Sequence, residues 1–361
     1  MRIVIAGGGT GGHLFPGIAI AEEFLKRDDK TQVIFIGTKT GIEGKLLGQL
    51  GYELRTIDIE GLKGRGLKAL AKGVYQVPQS MWQSRRILKQ FRPHLVIGVG
   101  GYASGPAVLT AHFMGIPTAI AEQNAVPGVT NRILGKFANK IVITYAKTST
   151  LFEQNKVILS GNPVRAAFIT GEEPDKKKKD FWQLLIFGGS QGATAINKAM
   201  VDMLPQLQKM KNKIHLVHQT GARQMEKVKQ AYKRSGIKAK VLPFIVDMAG
   251  AYQSADLIIC RAGATSLAEI TASGKAAILI PYPWAANDHQ TKNAQTMEEA
   301  GAAVIISERD LSGGKLFGVI ENLLYDEQKL IKMEKKSAKL GNINAAAKIV
   351  DACMKLMSKV N

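Results

Sequence analysis

Residues 2–13 read RIVIAGGGTGGH, and residues 184–193 read LLIFGGSQGA. In each stretch an apolar run typical of a buried strand leads into a tight glycine turn, and a helical pattern follows. Such a unit offers backbone N–H groups and a helix N-terminus to a phosphate. Two of these units about 180 residues apart predict two α/β domains that face each other with a phosphorylated ligand between them.

Apolar runs alternate with helical patterns along the whole chain. This alternation predicts an α/β fold of two Rossmann-like domains, each with a parallel sheet covered by helices on both faces. We expect one domain at residues 1–163 and another at 164–340, with a C-terminal helix at about 341–361 that packs back on the first. Strands are predicted at 2–6, 32–37, 54–59, 95–99, 117–121, 140–144, 157–160, 183–187, 214–218, 239–243, 256–260, 276–280 and 303–307. Helices are predicted at, among others, 15–27, 43–50, 128–137, 194–210 and 222–235.

The composition limits the possible partners without choosing one. A net charge of +20 predicts attraction to nucleic acid, an anionic membrane surface or phosphorylated substrates. The two cysteines, Cys260 and Cys353, form no motif, which argues against a disulfide framework or a zinc site and fits a reducing cytosol. Glycines and prolines interrupt the uncharged stretch 93–121, so we interpret it as buried sheet and helix rather than as a membrane span.

The first glycine turn carries candidate ligand contacts. Gly11 and Gly12 would let the backbone approach a ligand closely, and Thr10 adds a hydroxyl. No acidic residue ends the second strand, which disfavours a nicotinamide cofactor. His13 stands where the helix begins, and the helix dipole favours its neutral form, which can accept a proton from a hydroxyl nucleophile. The alternatives are a purely structural turn and a capping or packing histidine.

A second glycine loop in the first domain, Gly98–Gly105, also follows a predicted strand. We expect it to hold a further anionic group. Glu122-Gln-Asn124 follows the next strand, at the end where a parallel sheet binds ligands, and would suit contacts with sugar hydroxyls. Ordinary turn chemistry is the alternative.

The second domain repeats the pattern after the strand that ends at Cys260. Thr265 or Ser266 can cap the helix that follows, leaving its first N–H groups for a phosphate. Glu269 lies one turn further on, where it could accept from the two hydroxyls of a ribose; a surface glutamate is the alternative. The stretch 281–290 gathers amide, acid and imidazole groups at one rim, as sugar recognition requires.

Taken together and in this order, the motifs resemble those of the MurG family, the lipid-linked N-acetylglucosaminyltransferases of peptidoglycan synthesis. The resemblance spans nearly the whole chain. The matching segments are GGGTGGHLFPG, GVGGYASGP, EQNAVPG, GNPVR, GGSQGA, RAGATSLAEI and NDHQTKNA. The chain departs from the family pattern at Trp284 and His289, which affects the detail of the sugar contacts.

The resemblance implies a GT-B glycosyltransferase that needs no metal or cofactor and has a cleft between its two domains. The donor would be UDP-N-acetylglucosamine (UDP-GlcNAc). The acceptor would be lipid I, the undecaprenyl-diphosphate-linked N-acetylmuramyl-pentapeptide, attacked through its C4 hydroxyl to give lipid II with inverted anomeric configuration. It further implies a peripheral protein on the cytoplasmic face of the cell membrane, with other proteins of cell-wall synthesis as possible partners.

The resemblance also assigns individual residues. Those assigned to UDP-GlcNAc are Thr10, Gly11, Gly12, Asn124, Arg165, Ser190, Ile245, Ala264, Thr265, Glu269 and Gln290. Within this set, Ser190 and the helix start at Ala264–Thr265 would hold the diphosphate, and the backbone of Ile245 the uracil. His13 would be the base for the acceptor hydroxyl. The acceptor diphosphate would lie at Gly100, Gly101, Tyr102 and Ser104.

The segment between Glu60 and Glu122 contains eight Lys or Arg residues and no acidic residue, with apolar side chains interleaved. Basic groups near an anionic leaflet and inserted apolar side chains together favour reversible docking on a membrane. The candidate docking residues are Lys68, Lys72, Tyr75, Trp82, Arg85 and Arg86. A helix pair with a solvated basic face is the alternative.

Two other functions fit part of the pattern. A UDP-sugar epimerase of similar two-domain architecture would share the nucleotide site but would need acid and base groups for elimination at the sugar, and no lipid-facing patch. A nucleic-acid-binding protein would explain the charge of +20, but the chain lacks aromatic stacking motifs and a recognition-helix pattern.

Overall fold

The structure, a computed structural model, describes residues 1–39, 43–59, 67–169 and 180–358; within these, the side chains of Glu43, Lys45 and residues 67–75 are outside the description. Contacts between Cα atoms divide the chain into two compact units. Unit 1 comprises Met1–Ala166 and Asn342–Asn361, and unit 2 comprises Ala167–Gly341.

Unit 1 is built on a seven-stranded parallel sheet in the order β3-β2-β1-β4-β5-β6-β7. Its side chains alternate between two cores. Ile3 and Ile5 of β1 face one core, and Val4 and Ala6 face the other. All four are fully buried, which is why this strand is a continuous apolar run. The strands are β1 (Arg2–Ala6), β2 (Gln32–Gly37), β3 (Glu53–Thr56), β4 (Leu95–Gly98), β5 (Thr118–Glu122), β6 (Lys140–Ile143) and β7 (Val157–Leu159).

Helices cover both faces of this sheet. They are α1 (Gly11–Arg27), α2 (Glu43–Gln49), α3 (Leu67–Phe91), α4 (Ser104–Phe113), α5 (Val129–Leu134) and, from the C-terminal segment, α14 (Ala345–Met357). Helix α14 packs against α1, with Ile349 and Cys353 in the same core as β1. Arg27 Nη1 of α1 donates to Asp351 Oδ1 of α14 at 2.5 Å. The C-terminal helix is therefore part of unit 1.

Unit 2 is built on a six-stranded parallel sheet in the order β10-β9-β8-β11-β12-β13. The strands are β8 (Trp182–Phe187), β9 (Ile214–Gln219), β10 (Ala239–Leu242), β11 (Leu257–Cys260), β12 (Ala277–Leu279) and β13 (Ala303–Ile305). The helices are α6 (Thr194–Asp202), α7 (Leu204–Leu207), α8 (Met225–Ser235), α9 (Met248–Ser254), α10 (Ala264–Ala272), α11 (His289–Glu299), α12 (Gly313–Tyr325) and α13 (Glu327–Leu340).

Both sheets place the first strand of the unit in the middle, so the strand order reverses between β1 and β4 in unit 1 and between β8 and β11 in unit 2. In sheets of this kind ligands bind outside the carboxyl ends of the strands at the point of reversal. The predicted fold class is confirmed, and each of the thirteen predicted strands has its counterpart in the structure.

The predicted elements differ from the observed ones mainly at their ends. The helix predicted at 194–210 is interrupted after Asp202, and α7 begins at Leu204. Pro205 explains the break, because proline has no N–H to donate and is tolerated only in the first turn of a helix. The uncharged stretch 93–121 forms β4, α4 and most of β5. Within the described residues, no helix combines the length and the apolar content needed to cross a membrane.

Candidate functional site

In unit 1 the two glycine loops meet at the point of strand reversal. Gly101, with φ of +80°, lies so close to the first turn that a Cβ atom there would be 2.5 Å from the carbonyl oxygen of Gly8. Gly100, with φ of +94°, lies under the ring of His13, and a Cβ atom there would be 2.6 Å from His13 Cδ2. Glycine is needed at both positions for its backbone conformation and for space.

His13 is held at the start of α1. The backbone N–H groups of His13 and Leu14 both donate to the carbonyl oxygen of Thr10 at 3.2 Å. Thr10 Oγ1 lies 3.3 Å from His13 Nδ1, and Nε2 lies on the ring edge above Gly100. If Nδ1 carries the proton and donates it to Thr10, Nε2 holds the lone pair that a base requires. The structure thus brings the predicted Thr10, His13 and Gly100 together.

Tyr102 and Ser104, predicted in the second loop, have different surroundings. The side chain of Tyr102 is 51% exposed. Ser104 is fully buried, and its hydroxyl packs directly against Gly98 without a hydrogen-bond partner. Ser104 begins α4 and points inward, so the structure does not place its hydroxyl where a ligand of the loop could reach it.

Glu122 organises the loop that follows β5. Its Oε1 accepts from the backbone N–H of Asn124 at 2.9 Å and from Asn124 Nδ2 at 3.2 Å. Its Oε2 accepts from the N–H of Gly128 at 3.0 Å and from Asn131 Nδ2 at 2.9 Å. Because the carboxylate is buried and has four donors, it acts within the loop. Glu122 was expected to suit contacts with the sugar itself; in the structure it instead orients Asn124.

Arg165 belongs to unit 1 by its contacts. Its guanidinium lies 4.3 Å from the centre of the Phe15 ring on α1, a cation–π arrangement. The next residue, Ala166, donates its N–H to Glu22 Oε2 at 3.1 Å. These contacts fix the arginine beside the helix that carries His13.

In unit 2 the turn 188–193 follows β8 at the point of reversal. Gly192 has φ of +76° and packs against the carbonyl group of Thr220, which leaves no room for a side chain. Gly221, which follows Thr220, has φ of +77°. Ser190 at the tip of this turn is exposed, and α6 begins at Thr194. The turn is therefore a rigid backbone loop whose serine faces outward.

Helix α10 follows β11 on the other side of the reversal point. Its N-cap residue is Gly263, without a side-chain cap, so Thr265 and Ser266 lie inside the first turn and the expected cap by either is wrong. Glu269 is only 7% exposed, and Tyr252 Oη donates to its Oε2 at 3.4 Å. Burial, and then the charge of Glu269, raise the pKa of the Cys260 thiol at the end of β11. Glu269 is thus a buried carboxylate beside the strand end and not a surface glutamate.

The predicted uracil and sugar contacts of unit 2 lie on two further loops. The backbone N–H of Ile245 donates to Gln219 Oε1 at 2.7 Å, and Ile245 is buried. Gln290, in the first turn of α11, accepts from the N–H of Tyr282 at 2.9 Å. Asn287, just before that helix, has φ of +55°, uncommon for a residue with a side chain.

Helices α3, α4 and α5 of unit 1, which pack on the same core, each carry exposed apolar side chains. Trp82 on α3 is 64% exposed and Phe113 at the end of α4 is 69% exposed. Val129 and Ile133 on α5 are exposed as well, and Arg85 and Arg86 on α3 are exposed cations. The side chains of Lys68, Lys72 and Tyr75, also predicted here, lie outside the described residues.

Phe113, Val129, Ile133 and Gln219 were not among the residues singled out in the sequence. Phe113 lies in the uncharged stretch 93–121, interpreted as buried sheet and helix, and Val129 and Ile133 lie in the helix predicted at 128–137. Gln219 ends a strand next to the point of reversal, and this position was the signal that could have marked it as a candidate site residue. No group of three or more His, Cys, Asp or Glu side chains among the described residues is arranged to hold a metal ion.

Known proteins share both halves of this architecture. The profile of the glycosyltransferase family 28 N-terminal domain matches residues 3–143, and that of the glycosyltransferase family 28 C-terminal domain matches residues 183–352. With its two Rossmann-like sheets, the chain is a glycosyltransferase of the two-domain GT-B type.

A protein of Syntrophus aciditrophicus (strain SB), named UDP-N-acetylglucosamine–N-acetylmuramyl-(pentapeptide) pyrophosphoryl-undecaprenol N-acetylglucosamine transferase, is 56% identical over 99% of both chains. The chain belongs to the family of these transferases, the MurG family. The crystal structure of Acinetobacter baumannii MurG matches 98% of this chain and 99% of its own with a TM-score of 0.75 and 32% identity. A UDP-GlcNAc 2-epimerase from Neisseria meningitidis matches 98% of this chain and all of its own with a TM-score of 0.69, but at 12% identity this likeness shows the fold alone.

Proposed function

We propose that this chain transfers N-acetylglucosamine from UDP-GlcNAc to the C4 hydroxyl of lipid I, giving lipid II. The observation that carries the proposal is the glycine turn found at the point of strand reversal in each unit. The turn of unit 1 leads into His13. The turn of unit 2 carries the exposed Ser190, and the buried Glu269 lies on the helix after the neighbouring strand. A sequence relative at 56% identity carries the name of this transferase, so the epimerase is not favoured.

In this proposal unit 2 binds the donor nucleotide. Ser190 and the N-terminus of α10 bind the diphosphate, since exposed hydroxyl and backbone N–H groups at a helix start favour a phosphate. Glu269 accepts hydrogen bonds from the ribose hydroxyls, and its burial makes these bonds strong because water does not compete for them. The backbone at Ile245 receives the uracil, and Gln290 and Asn124 contact the sugar.

The transfer is a single displacement. The oxygen of the acceptor hydroxyl attacks the anomeric carbon while His13 Nε2 takes its proton. The bond between that carbon and the phosphate oxygen breaks, and UDP leaves with the electron pair. Attack opposite the leaving group inverts the anomeric carbon, and the helix start of α10 stabilises the charge that develops on UDP.

Transfer of labelled sugar from UDP-GlcNAc to a lipid I analogue tests both the reaction and the base. Loss of a general base typically reduces the rate 100- to 10,000-fold, so we expect roughly that loss in kcat for His13→Ala. Binding of UDP should be unchanged, because His13 acts on the acceptor. Epimerised sugar formed from the donor alone, without an acceptor, would instead identify an epimerase.

We further propose that unit 1 docks on the cytoplasmic face of an anionic membrane, where the lipid tail of the acceptor resides. Trp82, Phe113 and Ile133 would insert among the lipids, and Arg85 and Arg86 would bind the headgroups. A variant with both arginines replaced by glutamine should bind vesicles containing phosphatidylglycerol about 2 kcal/mol more weakly, which is about 1 kcal/mol for each charge removed.

Unit 2 offers matched controls for this experiment. Lys233 and Arg234 are adjacent exposed cations on α8, and Trp284 is an 80% exposed tryptophan. Replacing Lys233 and Arg234 by glutamine should leave vesicle binding nearly unchanged, as should Trp284→Ala, whereas Trp82→Ala should weaken it. Equal losses from both sets of variants would mean that the docking face lies elsewhere.

A further inference from the structure

A buried glutamine connects two loops of unit 2 that have no sequence motif in common. Gln219 is the last residue of β9, lies opposite Phe187 of β8 in the sheet, and is 1% exposed. Its Nε2 donates to the carbonyl oxygen of Gly189 at 2.7 Å. Its Oε1 accepts from the backbone N–H of Ile245 at 2.7 Å. One side chain thus hydrogen-bonds both to the glycine turn after β8 and to the loop after β10.

We infer that Gln219 is a positioning residue that fixes the glycine turn and the Ile245 loop relative to each other, so that one nucleotide can use both. This inference rests on the proposed function, in which the turn takes the diphosphate and the Ile245 backbone takes the uracil. Gln219 itself touches neither part of the ligand. It acts by holding in place the two backbone segments that do.

The surroundings of Gln219 explain why its amide matters. The hydrogen bond to the Ile245 N–H is buried and the one to the Gly189 carbonyl is partly buried. A side chain without the amide would therefore leave the Ile245 N–H without this partner at a site that water does not easily reach. The bond to Ile245 also uses the N–H of that residue. The carbonyl oxygen of Ile245 takes no part in that bond and can accept a hydrogen bond from a nucleotide base, such as that from the N3–H of uracil.

The turn is rigid on the side of β9. Gly192 packs on the carbonyl group of Thr220, and Gly221 packs on that of Gln191, which allows no side chain at either glycine. On the other side, Thr220 N–H donates to Leu242 O at 3.0 Å, where β10 ends. Beyond Leu242 the chain leaves the sheet, and the Gln219 amide is the bond that fixes Ile245 to the end of β9. A displaced loop would therefore change the spacing between the uracil and diphosphate contacts.

The test compares Gln219→Met, of similar length but without hydrogen bonds, with Tyr232→Phe. The Tyr232 hydroxyl lies 2.8 Å from Nδ1 of His218, the residue before Gln219, and is buried. Its loss destabilises the same sheet without touching either loop. We expect Gln219→Met to weaken UDP binding about tenfold by calorimetry and to raise KM for UDP-GlcNAc, with KM for lipid I and kcat at saturating donor within twofold of wild type. Tyr232→Phe should lower thermal stability and leave UDP affinity unchanged.

A double-mutant cycle with Ser190→Ala separates positioning from general destabilisation. Ser190→Ala should weaken UDP binding about tenfold in the wild-type background. In the Gln219→Met background the same change should cost less than threefold, because the displaced Ile245 loop no longer holds the nucleotide where its diphosphate meets the serine. Should Gln219→Met fail to fold, Gln219→Asn, which keeps the amide but cannot span both partners, replaces it in the same cycle.

Additive losses in this cycle, unchanged UDP affinity in the Gln219 variants, or an equal loss in Tyr232→Phe would each overturn the inference. A wild-type protein that does not bind UDP at all would instead refute the proposed function. The two failures are therefore distinguishable in one set of titrations.

Discussion

At the scale of single residues, the contact between Gly100 and the ring of His13 is the most demanding in unit 1. A methyl group at Gly100 would lie 2.6 Å from His13 Cδ2, and φ of +94° is unfavourable for alanine. We expect Gly100→Ala to push the imidazole away from the acceptor and to reduce kcat at least 100-fold, since a displacement of about 1 Å can cost that much. Binding of UDP, which the proposed function assigns to unit 2, should change less than twofold.

Gly105 supplies the matched control from the same loop. It lies in the first turn of α4 without a positive φ, and a Cβ atom there would be 3.6 Å from Thr130 Cγ2, an ordinary contact. Gly105→Ala should keep wild-type kcat and, because alanine is the better helix former, be no less stable. If both variants lose activity equally, the loop as a whole is sensitive and the contact with His13 is not the cause.

At the scale of secondary-structure elements, the loop after β5 depends on one carboxylate. Glu122→Gln keeps the shape of the side chain but turns one acceptor into a donor that faces N–H groups. We expect a loss of about 1–3 kcal/mol in the stability of unit 1, the cost of leaving buried groups unpaired, and a higher KM for UDP-GlcNAc through a displaced Asn124. Urea unfolding and steady-state kinetics measure the two effects.

Glu153→Gln controls for the loss of charge. Glu153 is a carboxylate of unit 1 that is 56% exposed and pairs with Lys156, and exposed pairs of this kind contribute little. This variant should match wild type in both measurements. A Glu122→Gln protein with wild-type stability would show that the loop does not depend on the carboxylate.

The elements themselves were largely predictable. Strands of a parallel sheet that is buried on both faces are continuous apolar runs, and β1 and β11 are of this kind. To predict the break between α6 and α7, Pro205 would have had to be given more weight than the helical pattern around it. The burial of Glu269 was beyond the pattern, because it depends on Tyr252 and Cys260, which come from other elements.

At the scale of the whole molecule, the sequence revealed the repeated glycine turn but not the sheet orders. The strand order decides that the turns of β1 and β4 meet, which places Gly100 under His13. It also places Gln219 between two loops that are more than 50 residues apart in sequence, at Gly189 and Ile245. Such partnerships arise from tertiary contacts that have no local signal, which is why the motifs were found and the residue joining them was not.

The stability of the molecule at acid pH should depend on His218. Burial lowers the pKa of this histidine to about 3, and its ring nitrogens pair with Tyr232 Oη at 2.8 Å and Asn197 Oδ1 at 3.0 Å. The usual histidine pKa is 6.5, so above that pH the side chain is neutral in the folded and the unfolded chain. Between pH 6.5 and 3 only the unfolded chain binds the proton, and the free energy of unfolding falls by up to about 1.4 kcal/mol per pH unit from this residue.

Urea unfolding of unit 2 between pH 4.5 and 7.5, compared in the wild-type protein and in His218→Gln, checks this expectation. The amide of the variant does not titrate but can still hydrogen-bond within the pocket. His215 also has a lowered pKa, mainly through burial, and contributes in the same direction in both proteins. The stability of the wild-type protein should therefore fall more steeply with decreasing pH than that of the variant, by about one proton in the slope. Above pH 7 the two slopes should coincide, because His218 is then neutral in both states. Parallel curves over the whole range would mean that His218 becomes protonated in the folded protein, which its burial opposes.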